Sequence, residues 1–197
     1  CERVVATAAT DGGGPVDLFG HSYGGVIALA TATRRPDLVR GVVAYEAPLP
    51  WLAWWPTTSA SADAQRATDP GRAAETFMRR VIGDTRWTRL PPSTRDARRA
   101  EGPALVADMR QLRPPAPPPV DLAAVSVPTI TAHGSESVEH HRRAAVAAAE
   151  AIPGARVIEV DGATHGVHLS HPAAVVDLLA TLAAHVDASA ADTDSGA

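Results

Sequence analysis

The stretch from Val16 to Thr33 constrains this chain more than any other. Val16-Asp17-Leu18-Phe19 is a short, mostly apolar run that suits a strand buried on both faces. It ends in Gly20-His21-Ser22-Tyr23-Gly24-Gly25 and passes directly into an alanine-rich apolar segment, Val26 to Thr33. That segment predicts a helix ending before Pro36, because proline disfavours helical geometry in its predecessor. The turn between them fits G-x-S-x-G with the strand before it and the helix after it that the pattern requires. Such a turn thrusts its serine above the sheet on strained backbone, with Gly20 and Gly24 allowing neighbouring backbone to approach. The Tyr23 amide falls at the helix N-terminus, where N–H groups and the helix dipole favour an anion. Ser22 is therefore a candidate nucleophile and the Tyr23 N–H a candidate oxyanion-hole donor.

The rest of the chain carries the same rhythm on either side of an interruption. Residues 1–9 are helix-compatible and stop at Asp11-Gly12-Gly13-Gly14-Pro15. Leu38 to Tyr45 reads as a second buried strand. Helix, strand, sharp turn, helix and strand in that order predict a parallel α/β sheet. Residues 47–120 break the pattern with four tryptophans, many arginines and Pro114-Pro115-Ala116-Pro117-Pro118-Pro119. They predict a helical insertion, with helices near Arg72–Ile82 and Thr94–Leu112 and the proline run as a stiff return. Strands resume at Val127 to His133 and at Ala155 to Val160, with a helix from Glu139 to Ala151 between them and one from Pro172 to about His185 at the end. The expected organisation is a core of 1–46 and 121–186, an insertion at 47–120, and a disordered tail at 187–197.

Gly20-His21-Ser22-Tyr23-Gly24-Gly25, with Arg35-Pro36-Asp37-Leu38-Val39, Pro128 to Gly134 and Gly162 to His165, resembles the α/β-hydrolase superfamily. The resemblance covers essentially the whole chain outside the insertion, which looks like that family's cap domain. It implies an α/β-hydrolase fold: a mostly parallel sheet flanked by helices, with a helical cap. It also implies a serine nucleophile, a carboxylate and a histidine base in that chain order, acting on an ester, lactone or similar small-molecule substrate. No cofactor or metal is needed for that chemistry. A second class stays open, a non-hydrolytic member of the fold that binds a small molecule.

His165 is the candidate base, in a glycine-containing loop just after the last strand, where the resembled family keeps its histidine. His168 and His171 are its rivals. The acid departs from the family's commonest pattern. Most relatives place an aspartate three residues after the glycine that ends the Val127–His133 strand region, and here that position is Ser137. Glu136, one place earlier, is one candidate. The preferred one is Glu46, ending the strand after the nucleophile helix, as in the haloalkane-dehalogenase branch. A glutamate closing a buried apolar strand needs a partner, and a histidinium is one.

Other residues read more blandly. Trp51, Trp54 and Trp55 suit either an acyl pocket or the core of the insertion. Arg79, Arg80, Arg86, Arg89, Arg95, Arg98 and Arg99 predict a solvated helical face balanced by Asp84, Asp96 and Glu101. His140-His141 does not predict a metal pair, since adjacent helical residues point about 100° apart and no third ligand is apparent.

Composition excludes several alternatives. A net charge of −4 gives no basic footprint for nucleic acid or an acidic membrane surface. The single cysteine, Cys1, rules out an internal disulfide framework and a multi-thiolate zinc site. All 18 basic residues are arginine, so no lysine chemistry is available. No run reaches the roughly 18 apolar residues of a membrane span, and the start does not read as a signal peptide; a cytoplasmic location is the expectation. The resembled family places several strands ahead of the nucleophile strand, on the order of 60 residues with their connections, and a second oxyanion donor among them. Only 15 residues precede Val16, so the expectation is an amino-terminal truncation that exposes a sheet edge. Oligomeric state is not legible.

Overall fold

The computed structural model describes residues 1–112 and 117–194. Helix α1 (Glu2–Asp11) leads through the glycine-rich turn to strand β1 (Val16–His21), helix α2 (Tyr23–Arg34) and strand β2 (Val39–Tyr45). There follow α3 (Ala60–Arg66), α4 (Pro70–Ile82), α5 (Asp84–Arg89), α6 (Pro92–Ala100) and α7 (Gly102–Gln111). Then come β3 (Thr129–Gly134), α8 (Glu139–Ala151), β4 (Arg156–Val160), α9 (Val167–Ser170) and α10 (Pro172–Asp194). The chain divides into two compact units, Cys1–Pro48 with Val120–Ala197, and Leu49–Pro119.

The first unit is an α/β layer structure. Its four strands lie in the order β1-β2-β3-β4, every neighbouring pair parallel. Parallel strands need crossover connections, and helices must then cover the faces. On one face Val43, Tyr45, Ile130 and Ala132 pack with Leu178 and Leu182 of α10 and with Ala163 and Val167. Strand β2 reads as a nearly continuous apolar run because it is interior and buried along almost its whole length. Strand β1 departs from expectation. It is half-buried rather than fully buried, because it stands at the end of the described sheet with only β2 beside it.

The carboxyl ends of all four strands lie along one edge: His21 is in register with Tyr45, Tyr45 with Ala132, and Gly134 with Val160. In open α/β sheets that edge is where ligands bind. The candidate nucleophile Ser22, the preferred candidate acid Glu46 and the candidate base His165 follow the ends of β1, β2 and β4.

The second unit is helical. Its prolines open helices instead of breaking them: Pro70, Pro92 and Pro103 lie in the first turns of α4, α6 and α7, where a missing N–H costs nothing. Asp69 caps α4 by accepting from the Arg72 N–H at 2.8 Å. The arginines lie largely on the exposed face expected of them, with Arg79 paired to Asp84, Arg99 to Asp96 and Arg98 to Glu101, and two of them also converge on Glu75. Arg79 and Arg99 each donate to it at 2.8 Å and stack over the fully buried Trp87, whose Nε1 also donates to Glu75 at 3.2 Å. Trp54 and Trp55 pack on each other with ring centroids 6.0 Å apart. Pro114 to Ala116 of the proline run lie outside the described residues.

The tail also differs from expectation. Residues from Ala188, expected to be disordered, continue α10 as far as Asp194. Alanine is the best helix former, and no glycine or proline interrupts the segment before Gly196. Among the described residues, no helix is long and apolar enough to cross a membrane.

Candidate active site

Ser22 and Glu46 are the two non-glycine residues with positive φ among the described residues, at 56° and 48°. Each follows the last residue of a strand, and each still donates its backbone N–H into the sheet: Ser22 to the Tyr45 carbonyl at 2.8 Å, Glu46 to the Ala132 carbonyl at 2.8 Å. The ladder thus continues one residue past β1 and β2 while the chain turns sharply away. Such conformations cost of order 1–3 kcal/mol per residue and persist only where the surroundings over-determine them.

At the first turn, Gly20 is indispensable on steric grounds. A Cβ there would lie 2.4 Å from the Gly24 carbonyl oxygen and 2.6 Å from the Gly25 Cα. Gly24 was expected to serve the same purpose and does not, since no atom lies within 4 Å of where its Cβ would be. The tight glycine at the start of α2 is instead Gly25, whose Cβ would fall 2.8 Å from that of Ala47. Tyr23 is the first residue of α2, at the positive end of its dipole.

Glu46 is fully buried. Its Oε2 accepts from His165 Nδ1 at 2.6 Å. Its Oε1 accepts from the Gly134 N–H at 3.0 Å and from the Ser137 hydroxyl. Burial alone would raise the carboxyl pKa. The bonds from His165, Gly134 and Ser137 outweigh it and hold the pKa down at about 2. The carboxylate is therefore charged at neutral pH with every oxygen bonded, the condition under which a buried charge is tolerable.

The loop that carries His165 is pinned through three successive carbonyls. That of Ala163 accepts from the Glu136 N–H at 3.0 Å, that of Thr164 from the Tyr45 hydroxyl at 3.0 Å, and that of His165 from His21 Nε2 at 2.6 Å. Gly134 lets β3 reach this loop, because a Cβ there would meet the Ala163 oxygen at 2.0 Å. The imidazole is thereby set 4.5 Å, ring to ring, from that of His21, the residue before Ser22. Its side chain is 28% exposed and so reachable from solvent.

The other sequence candidates lie apart from this pair. Glu136 is exposed and meets the site only through its backbone N–H. His168 is exposed on α9, 4.8 Å ring to ring from His21. His171 pairs locally with the Ser170 hydroxyl. Tyr45 is buried, and that burial beside Glu46 pushes its hydroxyl pKa well above the usual range.

Three participants escaped the sequence reading. Ser137 was set aside because it cannot be an acid, yet its hydroxyl binds Glu46, the preferred candidate. His21 lies inside the motif and fixes the His165 loop. Contrary to the expectation for His140-His141, His141 has potential co-ligands: its ring stacks on that of His165 with centroids 4.6 Å apart and planes 26° apart, and Glu46 lies within reach. Burial and the neighbouring His165 push its pKa down to about 3, so it is neutral. Its place in the first turn of the helix after β3 was the available signal, since that turn starts at the functional edge of the sheet.

The model of the alpha/beta hydrolase family matches residues 1–178. Among solved structures, the chain is similar to a hydrolase from Pseudomonas aeruginosa PA01 (TM-score 0.63, 19% identity, covering 92% of this chain and 69% of that one). It is also similar to a thermophilic esterase from Thermogutta terrifontis (TM-score 0.63, 20% identity, 93% and 70%). An enol-lactonase from Burkholderia xenovorans LB400 gives a TM-score of 0.61 at 18% identity, covering 90% and 70%. At such identities the likeness speaks for the fold. No curated protein matches the sequence.

Proposed function

This chain belongs to the alpha/beta hydrolase family, and we propose that it is a serine hydrolase cleaving a carboxylic ester, lactone or related acyl compound through an acyl-enzyme. The observation that carries this reading is the buried Glu46 carboxylate bonded to His165 Nδ1, on a loop held against the residue preceding Ser22. The esterase and enol-lactonase among the structural neighbours are consistent with the substrate class.

In the proposed cycle Ser22 Oγ attacks the substrate carbonyl carbon and its proton passes to His165 Nε2. The carbonyl oxygen becomes an oxyanion facing the Tyr23 N–H, at the positive end of α2. Glu46 keeps the proton on Nδ1, so that Nε2 is the basic nitrogen, and it offsets the imidazolium charge. Collapse breaks the bond to the leaving oxygen, which takes the proton from His165. Water then attacks the acyl carbon, giving a proton to His165 that returns to Ser22 Oγ as the acid departs.

The test is covalent labelling by a fluorophosphonate together with turnover of short-chain esters and lactones. Wild-type labels and turns over; Ser22→Ala does neither. Labelling that survives in Ser22→Ala refutes the assignment.

A further inference from the structure

We propose that Glu46, His141 and His165 form a binding site for a divalent transition metal ion of the Zn2+ class, and that an ion held there shuts off hydrolysis by engaging His165. The shut-off rests on the serine-hydrolase reading above; the site itself does not.

Each of the three side chains offers one ligand atom, and these atoms lie within 4.8 Å of one another. Two imidazoles and one carboxylate are a donor set that Zn2+ accepts, with a fourth position left for water, and imidazole suits Cu2+ and Ni2+ as well. Donors across one Zn2+ stand at most about 4 Å apart, so a small ring rotation brings the set onto an ion. The ligands come from the ends of separate elements: Glu46 after β2, His141 in the first turn of α8, and His165 in the loop after β4.

The surroundings resemble those of a metal site in one further respect. Oε1 of Glu46 is fixed by the Gly134 N–H and the Ser137 hydroxyl, which leaves Oε2 directed at the imidazole side. Outer hydrogen bonds of that kind orient ligating carboxylates. The partly exposed His165 ring gives an ion a route from solvent. Beyond the three ligands, His21 lies 4.5 Å from His165 and His140 lies 4.6 Å from His141, ring to ring.

The consequence for catalysis follows from which nitrogen is used. If the ion takes Nδ1 of His165, the proton shared with Glu46 is displaced and the bond that fixes the tautomer is lost. If it takes Nε2, the lone pair that accepts the serine proton is lost. Either way the base is disabled while the ion is bound.

The experiment titrates the full chain with Zn2+ by calorimetry and with Co2+ by its ligand-field absorption. One ion per chain is expected, with a low-coordinate Co2+ spectrum. His141→Phe, which keeps a stacking ring and removes the lone pair, weakens binding about 10-fold or more; Glu46→Gln does the same, and Ser22→Ala leaves binding unchanged. Turnover falls in proportion to Zn2+ occupancy and returns with a chelator. No binding, or binding indifferent to both His141→Phe and Glu46→Gln, overturns the site. Binding through these residues with turnover intact overturns the shut-off. If the chain hydrolyses no ester, the shut-off falls with the serine-hydrolase reading, while the calorimetric and Co2+ results still decide the site.

Discussion

The hydroxyl of Ser137, on the turn after β3, donates to Oε1 of Glu46, at the end of β2. The position where the resembled family most often carries its acid is thus occupied by a residue that binds the Glu46 carboxylate, which comes from the neighbouring strand. Strands β2 and β3 are adjacent and parallel, and Glu46 N–H bonds to Ala132 O, so both strand ends open onto the same point. A carboxylate from either can reach the loop after β4. Two carboxylates there would repel each other in a buried setting, so an acid on one strand favours a neutral donor on the other.

Ser137→Ala should therefore leave Oε1 with the Gly134 N–H alone and cost about 1.5–3 kcal/mol, the range for a hydrogen bond to a charged group. Ser137→Asp should be worse at neutral pH, because it sets a second carboxylate against Glu46, and the deficit relative to Ser137→Ala should shrink as the pH falls and one carboxyl protonates. Thermal melts of both variants across pH check this. An aspartate variant as stable as wild-type at neutral pH would contradict it.

Glu46→Gln keeps the size of the side chain but replaces the carboxylate with an amide, so the tautomer of His165 is no longer fixed by charge. On the proposed mechanism kcat should fall about 10^3- to 10^4-fold, with KM little changed, as is usual when the orienting acid of a triad is neutralised. Steady-state kinetics on any turned-over ester gives the split. A loss confined to KM would assign Glu46 to substrate binding.

Much of this arrangement was legible before any coordinates. The strand–turn–helix at Val16–Thr33 and the apolar run ending at Glu46 are local signals, since a charge closing a buried strand has few explanations. The partner choice for Glu46 was also legible, because the loop after the last strand carries His165. Ser137 and His141 were not legible in the same way. Their roles depend on which strand ends adjoin, and pairing is a property of the sheet, not of a window of sequence. Gly24 misled because the motif marks it, whereas crowding at the turn is set by Gly20 and by the approach of Ala47 to Gly25. The helical tail after Ala188 misled for the opposite reason: its small and acidic composition resembles disorder, yet alanine propensity carries α10 through it.

Acid sensitivity follows from three titrating groups of this site, His141, His21 and Glu46. The His141 pKa is lowered from 6.5 to about 3 by burial and by His165, so between those values the unfolded chain binds a proton that the folded chain refuses. Stability therefore falls as pH drops below about 6.5. His21, lowered by burial and by His165, acts in the same direction. The Glu46 pKa, held at about 2 against 4.5, adds stability that is present above pH 4.5 and lost as pH falls through that window towards 2. Melting temperature should decline below about pH 6.5 and more steeply below about pH 4.5, where Glu46 contributes as well, and His141→Phe should reduce the slope from about pH 6.5 down to about 3 while leaving the Glu46 contribution below pH 4.5. A variant with the wild-type slope between about pH 6.5 and 4.5 would remove His141 from this account.

The glycines of the turn give the sharpest structural test, because two of them at nearby positions should respond with opposite sign. A methyl group at position 20 would lie within 2.6 Å of the Gly24 and Gly25 backbone, and backbone cannot rotate out of the way as a side chain can. Helix α2 would have to lift from β1, so Gly20→Ala should cost at least 1–3 kcal/mol, the usual range for overpacking, and lower the yield of folded protein. Gly24 is within α2 and has no atom within 4 Å of its missing Cβ. There the gain in helix propensity is unopposed, and Gly24→Ala should stabilise by up to about 1 kcal/mol. Urea unfolding of the two variants measures both signs in one experiment. Equal destabilisation by both would mean that the turn, and with it the placement of Ser22, is built differently from the arrangement described.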